Sequence, residues 1–291
     1  LPQAIVKARR INKARTTFIE KMIFGHLHKG RIHAQINPLR SDSGGTVSGR
    51  FSYSNPNLQQ VPARDPEIGV LIRNLFIPDG HEYWGAFDYS QQEPRLTVHY
   101  ASLTRQTGAQ EAVEQYQNED ADFHQIVADM AGIDRKKAKM INLGLSYGMG
   151  KKKLTDALGL SEVEAEELFA KYHSRVPFIR GLSHACTRRA TNKGYITTLL
   201  GRKCRFNLYE PRNERGIPLP YNQAIEKWGG GSLERAFTYK ALNRLIQGSA
   251  SDMTKQAMLD LWKEGYTPYV QVHDELDLGV STKKDIERIK E

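Results

Sequence analysis

The stretch YVQVHDELDLGV, Tyr269 to Val280, sets Val270 and Val272 against Leu276, Leu278 and Val280 on either side of a polar break. Side chains alternate between the two faces of a strand, so this pattern predicts two short strands around a tight turn, with Asp274 and Glu275 at its tip. Far upstream, EYWGAFD (Glu82 to Asp88) reads as a buried strand that ends on a carboxylate and then turns helical. If the two segments lie side by side, Asp88 and Asp274 converge at one end of a sheet. Acidic pairs in turns are commonly just solvated. Two carboxylates from distant strand ends can instead hold two divalent cations about 3.5–4 Å apart, as phosphoryl transfer requires.

Between these ends the pattern from Thr104 to Thr191 is mostly helical. Ser161 followed by Glu164 is a capping box, with Leu168, Phe169 and Tyr172 on one face beyond it. A helix is predicted around Lys240 to Leu261. Pro211, Gly216, Pro218, Pro220 and Gly229 to Gly231 predict a long irregular surface loop over Asn207 to Gly231. At the other end, Ala4 to Phe24 reads as a basic helix, and a Gly-rich stretch then leads into the loop SNPNLQQVP. The class is α+β: an antiparallel sheet whose chain leaves to build a helical subdomain and then returns.

Charge points to a polyanionic partner, since 42 Lys and Arg oppose 33 Asp and Glu in 291 residues, a formal +9. Asp134 is a candidate N-cap, so Arg135, Lys136, Lys137 and Lys139 crowd a helix start, where the dipole disfavours cations by about 0.3–1 kcal/mol each. An anionic ligand would reverse that cost. Arg135, Lys139, Leu143 and Tyr147 are spaced by four and drift slowly round one side of that helix, where one long ligand can meet them all. Cys186 and Cys204 form neither a disulfide framework nor a zinc motif, and no long apolar run occurs. These features predict a soluble protein of the cytoplasm, not associated with a membrane.

The same segments resemble the signature blocks of family A, bacterial polymerase I-like DNA polymerases, with a bacteriophage-type member within reach. DYSQQEPR (Asp88 to Arg95) is similar to motif A, usually DYSQIELR; RKKAKMINLGLSYG (Arg135 to Gly148) to motif B; and VHDE (Val272 to Glu275) to motif C. GRFSYSNPNLQQVPAR (Gly49 to Arg64), GYITTLLGRKCR (Gly194 to Arg205) and NRLIQG (Asn243 to Gly248) resemble further blocks in the family order. The resemblance implies a right-hand polymerase architecture. Residues 1–99 would be the end of a thumb and the first part of the palm, 100–207 the fingers and 208–291 the second part of the palm. Most of the thumb, any exonuclease domain and the last palm segment would lie outside this sequence.

The implied activity is template-directed DNA synthesis in replication or repair, in which deoxynucleoside triphosphates are added to a primer 3′ end with release of pyrophosphate. Two Mg²⁺ ions, replaceable by Mn²⁺, and a primer-template DNA are the implied cofactor and partner. By resemblance Asp88, Asp274 and the carbonyl of Tyr89 bind the metals, and Glu275 supports them. Arg135 and Lys139 meet phosphates, Leu143 lies by the sugar, Tyr147 against base or template, and Gln91 and His124 near the nucleotide. Arg50, Asn57, Gln59, Arg64, Asn243, Gln247 and His273 would contact DNA, and Arg73 is a candidate for carboxylate or phosphate pairing.

Glu93 has two readings: the sugar wall that excludes a ribose 2′-hydroxyl, or the far end of a Ser90 capping box. Gln92 and Pro94 depart from the motif A pattern, Leu143 stands where the family generally has Phe or Tyr, and Tyr239 where many members have Arg. A single-subunit RNA polymerase and a catalytically silent nucleic-acid-binding module are the competing classes. Glu93 and the His273-Asp274-Glu275 triplet argue against the first; joint retention of Asp88, Asp274, Arg135 and Lys139 argues against the second.

Overall fold

The computed structural model describes residues 2–39, 45–62, 65–117, 122–146, 151–212 and 216–290. The chain divides into two compact units, Leu1–Tyr89 with Met253–Glu291, and Ser90–Asp252. Among the described residues no helix is long and apolar enough to cross a membrane.

The first unit opens with the basic helix α1 (Pro2–Ala14), which continues as a π-helical segment, Arg15–Phe24. A small hairpin follows, β1 (Leu27–His28) with β2 (Arg31–Ile32), and then β3 (Gln35–Asn37) pairs with β4 (Ser52–Ser54). The segment after β4 forms a turn with a three-residue 3₁₀ stretch, Leu58–Gln60, capped by the Asn57 side chain. Helix α2 (Ile68–Arg73) leads to β5 (Tyr83–Asp88). Met22, Tyr53 and Leu58 are buried together with Phe51, Phe76 and Val270 against them, and Ala14, Ile68 and Ile72 form an adjoining cluster.

The second unit is mainly helical: α3 (Gln92–Leu103), α4 (Ala109–Tyr116), α5 (Phe123–Ala131), α6 (Arg135–Ser146), α7 (Lys151–Leu158), α8 (Glu162–Arg175) and α9 (Pro177–Lys193). The Ser161 capping box forms as read, with Glu164 N–H donating to the Ser161 hydroxyl and the Glu164 carboxylate accepting the Ser161 N–H. Phe169 and Tyr172 are buried beyond it, and Leu168 is half-buried. A hairpin follows, β6 (Tyr195–Thr197) with β7 (Lys203–Arg205).

Residues 207–231 do not form the irregular loop the sequence predicts. They hold β8 (Leu208–Pro211), β9 (Leu219–Pro220) and α10 (Tyr221–Trp228), and β10 (Leu233–Arg235) completes a three-stranded antiparallel sheet in the order β10-β8-β9. The prolines do not prevent this, because each sits where proline is tolerated: Pro211 closes β8, Pro218 lies just before β9, and Pro220 ends β9 at the cap of α10. Tyr209 holds the piece together, with the Tyr221 ring at 4.9 Å and the Arg235 guanidinium over its face at 5.0 Å.

Helix α11 (Ala241–Lys263) carries the chain back into the first unit. There β11 (Pro268–Val272) and β12 (Glu275–Val280) form the predicted hairpin, and α12 (Lys283–Lys290) follows. β12 also pairs antiparallel with β5, giving the order β11-β12-β5. Leu276, Leu278 and Val280 share one face and are buried, and Asp277 and Gly279 on the other face are buried as well.

Candidate active site

The antiparallel register brings the carboxylates together. Glu275 is the Cα partner of Asp88 across β12 and β5, and of Val272 across β11, so it begins a strand and the turn itself is only His273-Asp274. That corrects the sequence reading, which placed Glu275 in the tip. The Tyr89 N–H donates to the Asp274 carbonyl at 3.3 Å, tying the end of β5 to the turn. Asp88, Tyr89 and Asp274, expected as metal ligands, therefore meet at one end of one sheet.

The turn is braced from below. His273 adopts φ 57°, a left-handed conformation uncommon for a residue with a side chain. The buried Gln271 donates from Nε2 to the His273 carbonyl, while Gln59 Nε2 donates to the Gln271 carbonyl at 3.1 Å and to its Oε1 at 3.3 Å. Asn57 Oδ1 in turn accepts the Gln59 N–H at 3.1 Å. Asn57 and Gln59 thus share in shaping the carboxylate turn, a scaffolding task that the sequence reading missed along with Gln271.

A cavity of about 580 Å³ opens beside this end of the sheet, lined by Asp88, Asp274, Glu275 and Asp277 together with Arg73, Trp84 and apolar side chains. Burial and the facing charges of Asp274 and Glu275 push Asp88 above its ordinary carboxylate range. Burial also raises Glu275, with Asp277 adding to it and Arg73, 3.6 Å away, opposing it. Asp277 was not foreseen. It is buried and accepts the Trp84 indole N–H at 3.1 Å.

Among the described residues no set of three or more His, Cys, Asp or Glu is arranged to enclose a metal ion. Mg²⁺ seldom asks for one: it keeps several waters and takes one or two carboxylates plus substrate phosphates. The pair Asp88 and Asp274 offers oxygen donors only and fits such an ion, because a divalent cation there would offset the negative charge that Asp274 and Glu275 place beside Asp88.

In the second unit, α6 presents Arg135, Lys139 and Leu143 on its exposed side and buries Ala138, Ile141 and Asn142 on the other. Tyr147 lies outside the described residues. The Asp134 cap forms, its carboxylate accepting the Lys137 N–H at 2.9 Å. Arg135 is not idle, since it is ion-paired with Asp122, the N-cap of α5. Burial lifts Asp122, but the Arg135 hydrogen bonds and the Gln125 and His124 amides outweigh it and hold the carboxyl below its usual range. His124 is half-buried beside this pair and its Nδ1 lies 3.3 Å from Asn142 Nδ2. Burial drives its pKa down, Asp122 opposes that, and Lys139 and Arg135 reinforce it.

Helix α3 starts one residue later than a Ser90 cap would demand. Gln91 occupies the cap position at φ 54°, and Glu93 is the second helical residue, so the Ser90–Glu93 box has the wrong register. The Gln91 Oε1 instead accepts the Phe123 N–H at 2.7 Å and the Tyr116 hydroxyl at 3.2 Å, securing the start of α5. Asn243 and Gln247 lie four apart on α11 and are half-buried, as is Arg50; His273 is exposed and Arg64 lies outside the described residues.

The sequence profile of DNA polymerase family A matches residues 1–291. The chain belongs to that family. It is 38% identical to a DNA-directed DNA polymerase of Pseudomonas phage M6, over 96% of this chain and 46% of that protein. It is 34% identical to DNA polymerase I of Rhizobium leguminosarum, over 99% of this chain and 27% of that one. The fold matches the POL domain of Pol1 from M. smegmatis, solved with DNA primer-template and dNTP, at a TM-score of 0.76 and 28% identity, covering 99% of this chain and 48% of that one. The chain spans about half the length of the phage relatives it matches.

Within family A the two motif A departures have structural reasons. Gln92 is buried and its Nε2 donates to the Ala250 carbonyl of α11 at 3.3 Å, a bond that an aliphatic residue could not make. Pro94 falls in the first turn of α3, where its missing N–H has no intrahelical acceptor to lose. Both cysteines are buried and unpaired.

Proposed function

We propose that this chain is the nucleotide-adding core, palm and fingers, of a template-directed DNA polymerase that extends a primer 3′ end and releases pyrophosphate. The observation that carries this reading is the meeting of Asp88 and Asp274 at one sheet end, in a chain whose α6 offers an exposed face of Arg135, Lys139 and Leu143. Asp88, Asp274 and the Tyr89 carbonyl would hold two Mg²⁺ ions, with Glu275 in support. Metal bound there would stabilise charge on the attacking and leaving oxygens of an in-line displacement. Arg135 and Lys139 bind and orient the triphosphate, and His124 lies beside them. Arg50, Arg64, Asn243, Gln247 and His273 supply donors for the primer-template; minor-groove acceptors recur at every base pair, so donors can check pairing without reading sequence. Primer extension on a DNA template with Mg²⁺, offered dNTPs or NTPs, tests the reading. Failure with dNTPs, or preference for NTPs, overturns it.

With the Ser90 capping box out of register, the sugar-wall reading of Glu93 gains ground. Glu93→Ala is expected to raise the NTP/dNTP ratio of kcat/KM while lowering the melting temperature little. A loss of stability of about 1 kcal/mol, typical of a lost cap, with sugar selectivity unchanged would restore the structural role.

Leu143, exposed one turn beyond Lys139, offers the sugar an apolar contact but no hydrogen bond. The enzyme is expected to discriminate against dideoxynucleotides. Leu143→Tyr would add a hydroxyl near the vacant 3′ position, and a bond of about 0.5–1.5 kcal/mol would raise the ddNTP/dNTP ratio several-fold. An unchanged ratio with activity intact would show that residue 143 does not face the sugar.

A further inference from the structure

The ion pair that joins α5 to α6 is more specific than a surface contact. Asp122 divides its two oxygens: Oδ1 accepts the His124 and Gln125 N–H groups at 2.8 and 3.1 Å, and Oδ2 accepts Arg135 Nε at 2.9 Å and Nη2 at 2.5 Å. The carboxylate is thereby fixed to the first turn of α5, and the start of that helix is itself held by Gln91 through the Phe123 N–H. The Arg135 bonds use one edge of the guanidinium, Nε and Nη2, and leave the two protons of Nη1 outside the pair. The side chain remains half exposed, at 49%.

We propose that Asp122 is a positioning residue for Arg135, orienting the guanidinium so that Nη1 is presented to a nucleotide phosphate. This rests on the reading of α6 as the triphosphate-binding helix. A long arginine that is free in solvent samples many rotamers, and phosphate binding must then select one; held on one edge, it meets the anion already oriented.

Charge and position make opposite predictions, and that difference gives the test. Removing a negative charge beside an anion site would by itself tighten nucleotide binding. Loss of positioning weakens it. Asp122→Asn keeps the side-chain oxygen that caps α5 but turns an amide toward Arg135; Asp122→Ser also caps well and lacks the second oxygen. In the full-length polymerase both substitutions are expected to raise KM for dNTP by about 5- to 30-fold with a smaller change in kcat. In an Arg135→Ala background they should change KM less than about twofold, because the group being positioned is gone.

A KM that is unchanged or lowered in both variants overturns the proposal. So does a rise of equal size in the Arg135→Ala background, which would mean that Asp122 acts through the fold; melting curves of each variant would show the same. Arg135→Ala alone separates the two levels. If it leaves KM for dNTP unchanged, the phosphate reading of α6 fails and the positioning role falls with it. If Arg135→Ala raises KM and the Asp122 variants do not, only the positioning role is lost.

Discussion

On the proposed reading, Asp88→Ala and Asp274→Ala, each made in the whole protein, are expected to reduce single-turnover nucleotide addition by on the order of 10³-fold or more while duplex binding is retained. The magnitude follows from the several kcal/mol that charge stabilisation by a bound metal contributes at a developing oxyanion, each 1.4 kcal/mol being tenfold in rate. A second measurement isolates the cause. Asp88 is raised by burial and by the neighbouring Asp274 and Glu275 charges, so the metal-free fold carries a repulsion that Asp88→Ala removes. The variant should melt no lower than the parent without divalent cation, and Mg²⁺ should raise the melting temperature of the parent alone. Rates near the parent's, or equal Mg²⁺ stabilisation of both, would overturn the assignment.

The sign of the pH effect follows from the same shift. A carboxyl whose pKa is raised on folding destabilises the fold when ionised. The repulsion is therefore absent at pH below the ordinary Asp range, and it develops as pH rises through the raised value. The stability difference between Asp88→Ala and its parent should accordingly shrink on acidification.

Much of this site was legible because it depends on short-range rules. Period-two alternation gave the β11-β12 hairpin, and spacing by four gave the exposed face of α6. Register is where the reading stopped. Whether Glu275 or His273 occupies the turn depends on pairing with Val272 and Asp88, and Asp88 is far away in the sequence. Similarly, Ser90-x-x-Glu93 fits a capping box locally, but the Gln91 side chain is drawn to the start of α5, and the helix begins after it.

The segment 207–231 failed for the opposite reason. Its prolines and glycines were read as breakers throughout, whereas they mark the ends of elements only two to eight residues long. Asp122 and Gln271 carried no motif at all. Their roles come from bonds to groups that only the fold brings near, and Asp277 reads in sequence as one polar residue among strand hydrophobics.

Lys139 makes the last comparison, because its setting differs from that of Arg135 one turn earlier on the same face. Arg135 is paired with Asp122, while Lys139 is exposed and forms no ion pair among the described residues. An ammonium without a carboxylate partner leaves its full charge for a ligand, and its removal strands no buried group. Lys139→Ala should therefore change stability by no more than about 0.5 kcal/mol, the ordinary range for a surface substitution. If that charge, beyond orienting the triphosphate, is used most as pyrophosphate begins to leave, its loss is comparable to the loss of one oxyanion donor, worth about 2.7–4 kcal/mol or 10²- to 10³-fold in kcat. Arg135→Ala should instead fall mainly on KM, because a phosphate already charged in the ground state is bound there in both states. Single-turnover extension at saturating dNTP separates the two, and Lys139→Arg, which keeps the charge, should recover part of the rate. If Lys139→Ala extends primers at the parent's rate, or if its whole deficit disappears at high dNTP, then Lys139 only helps to bind the nucleotide and the leaving-group role belongs elsewhere on the chain.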